Sequence, residues 1–402
     1  MKFSNICIKC KGKGWCGKPC KIYSKINPLK PKTHFSGNSP PEIFIGRYNY
    51  PNINAGILSP EEFEDTEIFA MPELWHKNKL SIPQILKNRG KLIYGRFQTH
   101  IKELSSSKKF KSLMQEISMA HKSVSTEFFL KKPVRQNNEI EKKYPIIGNA
   151  APLKFARLQE NPKIYPKVDY LVSDSDSKAA NSINELYKNK IPISNIIKIL
   201  SAGLLGLKKQ RKLVPTRWSI TATDDTLSKE LLKKIRYYPE INEILLFHSK
   251  YIGNNIEILM LPDKFAFEVV EISMKGSVWQ PNYLSVMNDY EFFNGRKTYA
   301  KEVVGAYYTD RLTICEYLEK IKKQATIFFM HEETPDYNAP LGVGIIRETA
   351  RQALKNPPEK FNSIQEALKQ SEKRLKTPIS VFTKKSTILK EYKKQLRLNQ
   401  FI

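Results

Sequence analysis

Glu243-Ile-Leu-Leu-Phe-His248-Ser-Lys-Tyr-Ile-Gly253-Asn-Asn-Ile-Glu257-Ile-Leu-Met-Leu-Pro-Asp-Lys-Phe265-Ala-Phe-Glu268-Val-Val-Glu271-Ile-Ser-Met274 contains three strand-like runs, Glu243 to His248, Ile256 to Leu261 and Phe265 to Met274. Aliphatic and aromatic side chains dominate each run, and Gly253-Asn254-Asn255 between the first two is a hairpin signal. Consecutive short strands joined by tight turns predict an antiparallel meander. The fold class that follows is α+β, an antiparallel sheet with flanking helices, and not a doubly wound sheet. His248, Glu257, Glu268 and Glu271 fall on these strands, and most are expected to face solvent.

Downstream, Glu302 to Thr309 and Ala325 to Met330 read as further strands around a helix from Arg311 to Lys322. His331-Glu332-Glu333 follows the second of them; three polar residues at a strand end suit a metal or, more commonly, a solvated turn. Gly342 and Gly344 stand ahead of a helix start with Arg347 beside them, a possible phosphate seat. Ser363-Ile-Gln-Glu366 is a capping box. Upstream, Ser59 to Ser123 reads as mainly helical, with Phe110, Leu113, Met114 and Ile117 on one helical face. Val124 to Pro133 reads as a strand whose one carboxylate, Glu127, is either a buried paired glutamate or a metal or nucleotide ligand. Regular spacing is lost between Asn137 and Lys178 and returns from Asn181 to Leu207.

At 402 residues with 41% hydrophobic and 11% aromatic content, the chain is long enough for two packed domains, which excludes a disordered chain. The net charge of +27, from 67 basic and 40 acidic residues, implies an anionic partner, with nucleic acid ahead of a membrane surface. No run of 18 apolar residues exists; the nearest, Ile193 to Leu207, is broken by Lys198. With no secretory leader after Met1, the expected location is cytoplasmic and nucleoid-associated.

Four of the five cysteines are clustered, Cys7, Cys10, Cys16 and Cys20, in C-x2-C-x5-C-x3-C spacing with glycines between them. Four neighbouring thiolates call for a tetrahedral Zn²⁺ held as a structural staple, with an iron–sulfur cluster as the alternative. The flanking lysines, with no acid before Glu42, suit phosphate contact.

The densest chemistry is Lys208-Lys209-Gln-Arg211-Lys-Leu-Val-Pro215-Thr-Arg217-Trp218-Ser-Ile-Thr221-Ala-Thr223-Asp224-Asp225. A basic run leads into Arg217 and Trp218, a pair suited to phosphate contact and base stacking, and then into hydroxyls alternating along an expected extended segment. Asp224 and Asp225 are expected to cap a following helix, or one of them to hold Mg²⁺ or Mn²⁺ beside a phosphate brought in by Arg217. A second loop, Gly37-Asn-Ser-Pro-Pro-Glu-Ile-Phe-Ile-Gly46-Arg47, places Arg47 after a glycine where a backbone can approach a ligand.

The chain ends Gln395-Leu-Arg-Leu398-Asn-Gln-Phe401-Ile402. In a 3₁₀-like turn Leu398 and Phe401 stack on one face, Ile402 adds a second apolar group, and Gln395 anchors the upstream end. This tail resembles the PIP box, the peptide by which partners grip the sliding clamp PCNA.

Taken together, the Gly37 to Arg47 loop, Val214 to Asp225, the four-cysteine knuckle and the clamp-type tail resemble the archaeal Nre family of DNA repair proteins. The resemblance covers nearly the whole chain. It implies a role in the DNA damage response, recruitment through PCNA, and an N-terminal domain followed by a smaller C-terminal one. The expected organisation is a basic zinc knuckle and linker over 1–36, an Nre N-terminal domain over 37–282, an Nre C-terminal α/β domain over 283–376, and a flexible basic tether over 377–402. Three functions stay open: a metal-dependent nuclease or phosphoryl-transfer enzyme using Asp224, Asp225 and Glu127, a non-catalytic DNA-binding adaptor, and an RNA- or ribosome-associated zinc protein. The phosphate and nucleic-acid ligands would be Arg47, Lys208, Lys209, Arg211, Arg217, Trp218, Thr221, Thr223 and Arg347.

Overall fold

A computed structural model describes residues 30–102, 108–135, 145–280 and 282–394. The cysteine cluster and the Gln395 to Ile402 tail lie outside the described residues. Two compact units divide at Leu227/Ser228; the first also takes in Ala339–Gly344, and the second comprises Ser228–Asn338 with the chain from Ile345.

The first unit is built on β1 (His34–Ser39), β2 (Ile43–Ile45), β3 (Asn52–Ser59), β4 (Ile93–His100), β5 (Val124–Leu130) and β6 (Asn149–Leu158), in the order β1-β5-β6-β4-β3-β2. Only β4 and β6 are parallel. The edge strands β1 and β2 are joined by just Pro40-Pro41-Glu42. A flat sheet would hold those edges ~24 Å apart at ~4.8 Å per strand step, whereas four residue steps span at most ~14 Å. The sheet therefore has to curl until its edges approach. Asn38 N–H accordingly donates to Glu62 O at 2.6 Å, joining β1 to the chain just past β3. Gly37 permits this crossing, because a Cβ there would sit 2.0 Å from Pro60 O.

Helices α1 (Pro72–Lys77), α2 (Ile82–Gly90), α3 (Lys108–Met119), α4 (Pro166–Ser173), α5 (Ala179–Lys188) and α6 (Ile193–Ser201) complete this unit up to α7 (Thr216–Ile235). A buried ion network links its parts. Glu42 Oε1 accepts from Arg89 Nη1 at 2.9 Å, and Glu42 Oε2 pairs with Lys198 Nζ at 3.2 Å.

Helix α7 corrects the expectation of an extended segment. Thr216, Ser219, Ile220, Thr223, Asp224, Leu227 and Ser228 are all buried, a stripe at i, i+3, i+4, i+7, i+8, i+11 and i+12. The stripe is helical, but it is written largely in hydroxyls, so an aliphatic pattern does not reveal it. Asp224 and Asp225 consequently lie in mid-helix and do not cap its start.

The second unit contains β7 (Ile244–Tyr251), β8 (Asn254–Leu261), β9 (Ala266–Ser273), β10 (Ser285–Glu291), β11 (Thr326–Glu333) and β12 (Glu359–Phe361), in the order β10-β9-β11-β8-β7-β12. The strand runs and the Gly253 hairpin fall where the sequence places them. The meander does not, because β11 inserts between β8 and β9 and runs parallel to β9. The crossover that allows this is α8 (Gly305–Ile321), whose first turns occupy part of the segment expected as a strand from Glu302 to Thr309. Strands β8, β9 and β11 are buried along their whole length, as central strands covered on both faces must be.

Helices α9 (Val343–Lys355), α10 (Ile364–Glu372), α11 (Ile379–Lys385) and α12 (Ile388–Lys394) follow. One sheet face packs Leu259, Val270, Phe328 and Met330 against Ala367, Leu375, Phe382 and Leu389 from the α10 to α12 segment. On that face Glu257, Glu268 and Glu332 are buried, contrary to the expectation of solvation. Burial is tolerable because each is satisfied. Glu257 receives Arg374 Nε and Nη2, each at 2.8 Å. Glu268 accepts from Thr387 N and Ile388 N at 2.8 and 3.1 Å, at the start of α12. Glu332 accepts from Lys376 N and Thr377 N at 3.0 and 2.6 Å. Glu268 and Glu332 thus fasten the helical segment by its backbone, and Glu257 fastens it by the Arg374 side chain.

Candidate functional site

The start of α7 is tied to the end of β2. Pro215 accepts the Trp218 and Ser219 N–H groups at 2.8 and 3.0 Å, opening the helix. The first helical residue, Thr216, uses its hydroxyl to accept the Ile45 N–H at 2.9 Å and contacts the Ser201 hydroxyl at 3.2 Å. This tether brings together two stretches that stand far apart in the sequence. The Tyr50 and Trp218 rings meet at 5.0 Å between centroids, tilted by 57°. Both are unusually exposed for large aromatics, 40% and 43%. Arg47 lies in the same β2–β3 connection with its guanidinium 5.0 Å from the Tyr48 ring centre. The Arg47 Nε is enclosed and makes no hydrogen bond to a described residue. Arg217 precedes Trp218 and is half-buried. The result is an exposed aromatic pair on two stretches that each carry an arginine, Arg47 and Arg217.

Other candidates are placed differently. Lys208 and Lys209 are exposed on a 3₁₀ turn before α7. Arg211 gives its donors to the carbonyls of Gly206, Val172 and Asp174, which makes it a brace between segments. Thr221 donates back to Trp218 O at 3.2 Å, and Thr223 is enclosed. Asp224 is fully buried and Asp225 half-buried, about two helical turns beyond Arg217. Glu127 sits on β5 between His34 Nε2 at 2.9 Å and Arg157 Nε at 2.6 Å. Those two partners hold its carboxyl below the usual carboxylate range. Arg347 is buried in α9, in the second unit. Among the described residues no group of three or more His, Cys, Asp or Glu side chains is arranged to hold a metal ion. None of their helices is long and apolar enough to cross a membrane.

His331 to Glu333, expected as a solvated turn, is instead the buried end of β11. Alternation along the strand turns His331 and Glu333 to the face opposite Met330 and Glu332. Register places His331 beside Glu271 and Glu333 beside Ser273. His331 Nδ1 is 3.6 Å from Glu271 Oε2, and Nε2 is 3.0 Å from Asn254 Oδ1. Ser273 Oγ donates to Glu333 Oε2 at 2.5 Å. Burial opposes a charge on the imidazole, but the Glu271 carboxylate, with Glu333 and Asp310 behind it, outweighs burial and pushes the pKa up to about 9. The available sequence signal was a polar triplet running directly on from the apolar strand Thr326 to Met330.

The family description "Archaeal Nre, N-terminal" matches residues 16–280, and "Archaeal Nre, C-terminal" matches 291–401. The chain belongs to the archaeal Nre family. This Nre chain is 32% identical over 387 residues to "DNA repair protein NreB" of Archaeoglobus fulgidus, covering 96% of this chain and 97% of the relative. It is 34% identical to "DNA repair protein NreA" of the same organism, over 92% and 93% of the two chains. With "DNA repair protein NreA" of Haloferax volcanii the identity is 32%, over 88% and 86%. No solved structure matches this Nre chain.

Proposed function

We propose that this protein is a DNA repair factor that holds single-stranded or unpaired DNA on the Arg47–Tyr50 and Arg217–Trp218 surface. The observation that carries the reading is the exposed Tyr50–Trp218 pair, whose two stretches also carry Arg47 and Arg217. Bases stack on exposed rings whatever their sequence, and guanidiniums take the phosphates between them. A net charge of +27 steers DNA toward the chain. The names of the relatives support repair as the setting. Glu127 already carries two ion-pair partners and Asp224 is enclosed, so the reading rests on binding and not on a carboxylate-held Mg²⁺ or Mn²⁺. Cys7, Cys10, Cys16 and Cys20 complete the proposal as a structural Zn²⁺ staple.

Trp218→Ala removes one stacking surface, which is worth ~1–3 kcal/mol per base, so affinity for a single-stranded oligonucleotide is expected to fall by about tenfold or more. Fluorescence anisotropy at one fixed salt concentration measures it, and an unchanged affinity would overturn the reading. Delivery to DNA by the sliding clamp is assigned to Gln395, Leu398, Phe401 and Ile402. Deleting Gln395 to Ile402 is expected to abolish binding to PCNA while leaving oligonucleotide affinity in place. Retention of clamp binding by the shortened chain would remove recruitment from the proposal.

A further inference from the structure

A fork in the first sheet creates a polar cavity, built by the way β6 changes partners. Strands β4 and β6 pair in parallel from Ile93 with Asn149 to Arg96 with Pro152. Pro152 has no N–H to carry the ladder onward. From Leu153 the strand pairs with β5, across an irregularity at Phe129/Leu130 where Lys131 N–H donates to Pro152 O at 2.8 Å. Beyond Arg96 the two strands therefore diverge, and neither is the ladder partner of the other. The fork holds a cavity of ≈ 390 Å³ lined by Asn54, Arg96, Phe97, Gln98, Phe110 and Lys131, with Pro152 and Leu153 at its apex.

That size falls within the range of small-molecule sites, roughly 300 to 1,000 Å³. Three chemistries converge in it. Asn54 and Gln98 are direct cross-strand partners, so their carboxamides stand side by side on one face. Arg96, two residues before Gln98 on the same face, and Lys131 supply positive charge. The Phe97 and Phe110 rings, 5.3 Å between centroids, supply an apolar wall from the other face of β4, reached through the gap where β4 and β6 part. A simple anion would need only the cations, and an apolar ligand would need neither the cations nor the amides. A nucleotide uses all three: a flat ring for the wall, base-edge donors and acceptors for the amides, and a phosphate for the cations. Asn54 O also accepts the Gly46 N–H at 2.8 Å, at the base of the connection that carries Arg47 and Tyr50.

We propose that the fork is a nucleotide pocket that receives a single unstacked deoxynucleotide. Its supply from bound DNA rests on the Tyr50–Trp218 reading; its affinity for a free nucleotide does not. The test is calorimetric titration of the full chain with dAMP, chosen because paired carboxamides complement the adenine edge. Binding of one dAMP is expected, weakened at least tenfold in a Gln98→Ala/Lys131→Ala double variant and unchanged in Trp218→Ala. Gln98 and Lys131 are both exposed, so the double variant is expected to fold as the parent does. Absence of dAMP binding, equal binding by the double variant, or inorganic phosphate binding as tightly as dAMP would overturn the pocket. Each of these outcomes is separable from the fate of the surface reading, which stands or falls on Trp218→Ala and an oligonucleotide.

Discussion

Replacing Glu42 with alanine is expected to remove about 3–5 kcal/mol from the stability of the first unit, the largest effect of any single substitution argued for this chain. Glu42 is 1% exposed and lies in the three-residue link between the two edge strands of the curled sheet. Its two oxygens face Arg89 Nη1 at 2.9 Å and Lys198 Nζ at 3.2 Å, and neither cation has meaningful access to water. Arg89 also donates to the carbonyls of Ile146 and Phe69 at 2.7 and 3.0 Å, so the guanidinium cannot swing out to solvent without breaking those bonds. Truncation therefore leaves two buried positive charges without their carboxylate, and a void where it stood. Domain stabilities are typically only ~5–15 kcal/mol, so the loss is a large fraction of the whole. Glu42→Gln keeps the volume and one acceptor and is expected to cost less than alanine. Lys198→Met removes the second cation and should cost less again, since the Glu42–Arg89 pair persists. Urea unfolding followed through Trp75, which is wholly buried in this unit, ranks the three. A Glu42→Ala loss below about 1 kcal/mol would mean that the ion network is not what holds the link.

The elements that could be read from sequence are those whose side chains state their own environment. Ile244 to Phe247, Ile256 to Leu261 and Ala266 to Ile272 are mostly aliphatic or aromatic, and the Gly253 hairpin joins the first two strands as expected. Strand order is different, because insertion of β11 depends on the crossover through α8, and nothing local to Ile256 or Val269 records which strand will arrive beside it. Helix α7 departs from the expected extended segment because its buried stripe uses Thr216, Ser219 and Thr223 where an ordinary helix would use leucines. His331 and Glu333 depart from the expected turn for the converse reason, since polar residues suggest solvent until their partners are known. Those partners, Glu271, Asn254 and Ser273, lie up to 77 residues away. Arg47, Tyr50, Arg217 and Trp218 can each be singled out in the sequence, but the meeting of Tyr50 with Trp218 cannot. The end of β2 and the start of α7 are tied by the Ile45 N–H to Thr216 hydrogen bond, across a separation of 171 residues.

The stability of the second unit is expected to fall as pH rises from about 6.5 to about 9, and His331 is the group responsible. Its imidazole has no exposure, and proximity to Glu271, Glu333 and Asp310 raises its pKa from 6.5 to about 9 in the folded chain. The folded state therefore holds a proton that the unfolded state has begun to release above pH 6.5. Stability from this source is fully present below 6.5 and is lost as pH climbs through 9. A displacement of that size corresponds to ~3 kcal/mol. Geometry agrees with the charged form: Nε2 lies 3.0 Å from Asn254 Oδ1, and Nδ1 stands 3.6 Å from the Glu271 carboxylate, an ion-pair distance without a hydrogen bond. In His331→Gln the Glu271 carboxylate loses its countercharge, so the variant is expected to be less stable at pH 6 and nearly level with the parent by pH 9. Its own profile across the window should be flatter. Glu271→Gln should instead move the decline to lower pH, because the imidazolium loses its nearest anion. Denaturant melts at pH 6, 7, 8 and 9, followed through Trp279, separate the two variants. Parallel profiles for parent and His331→Gln would assign the alkaline loss to another group and return His331 to the role of a neutral hydrogen-bonding residue.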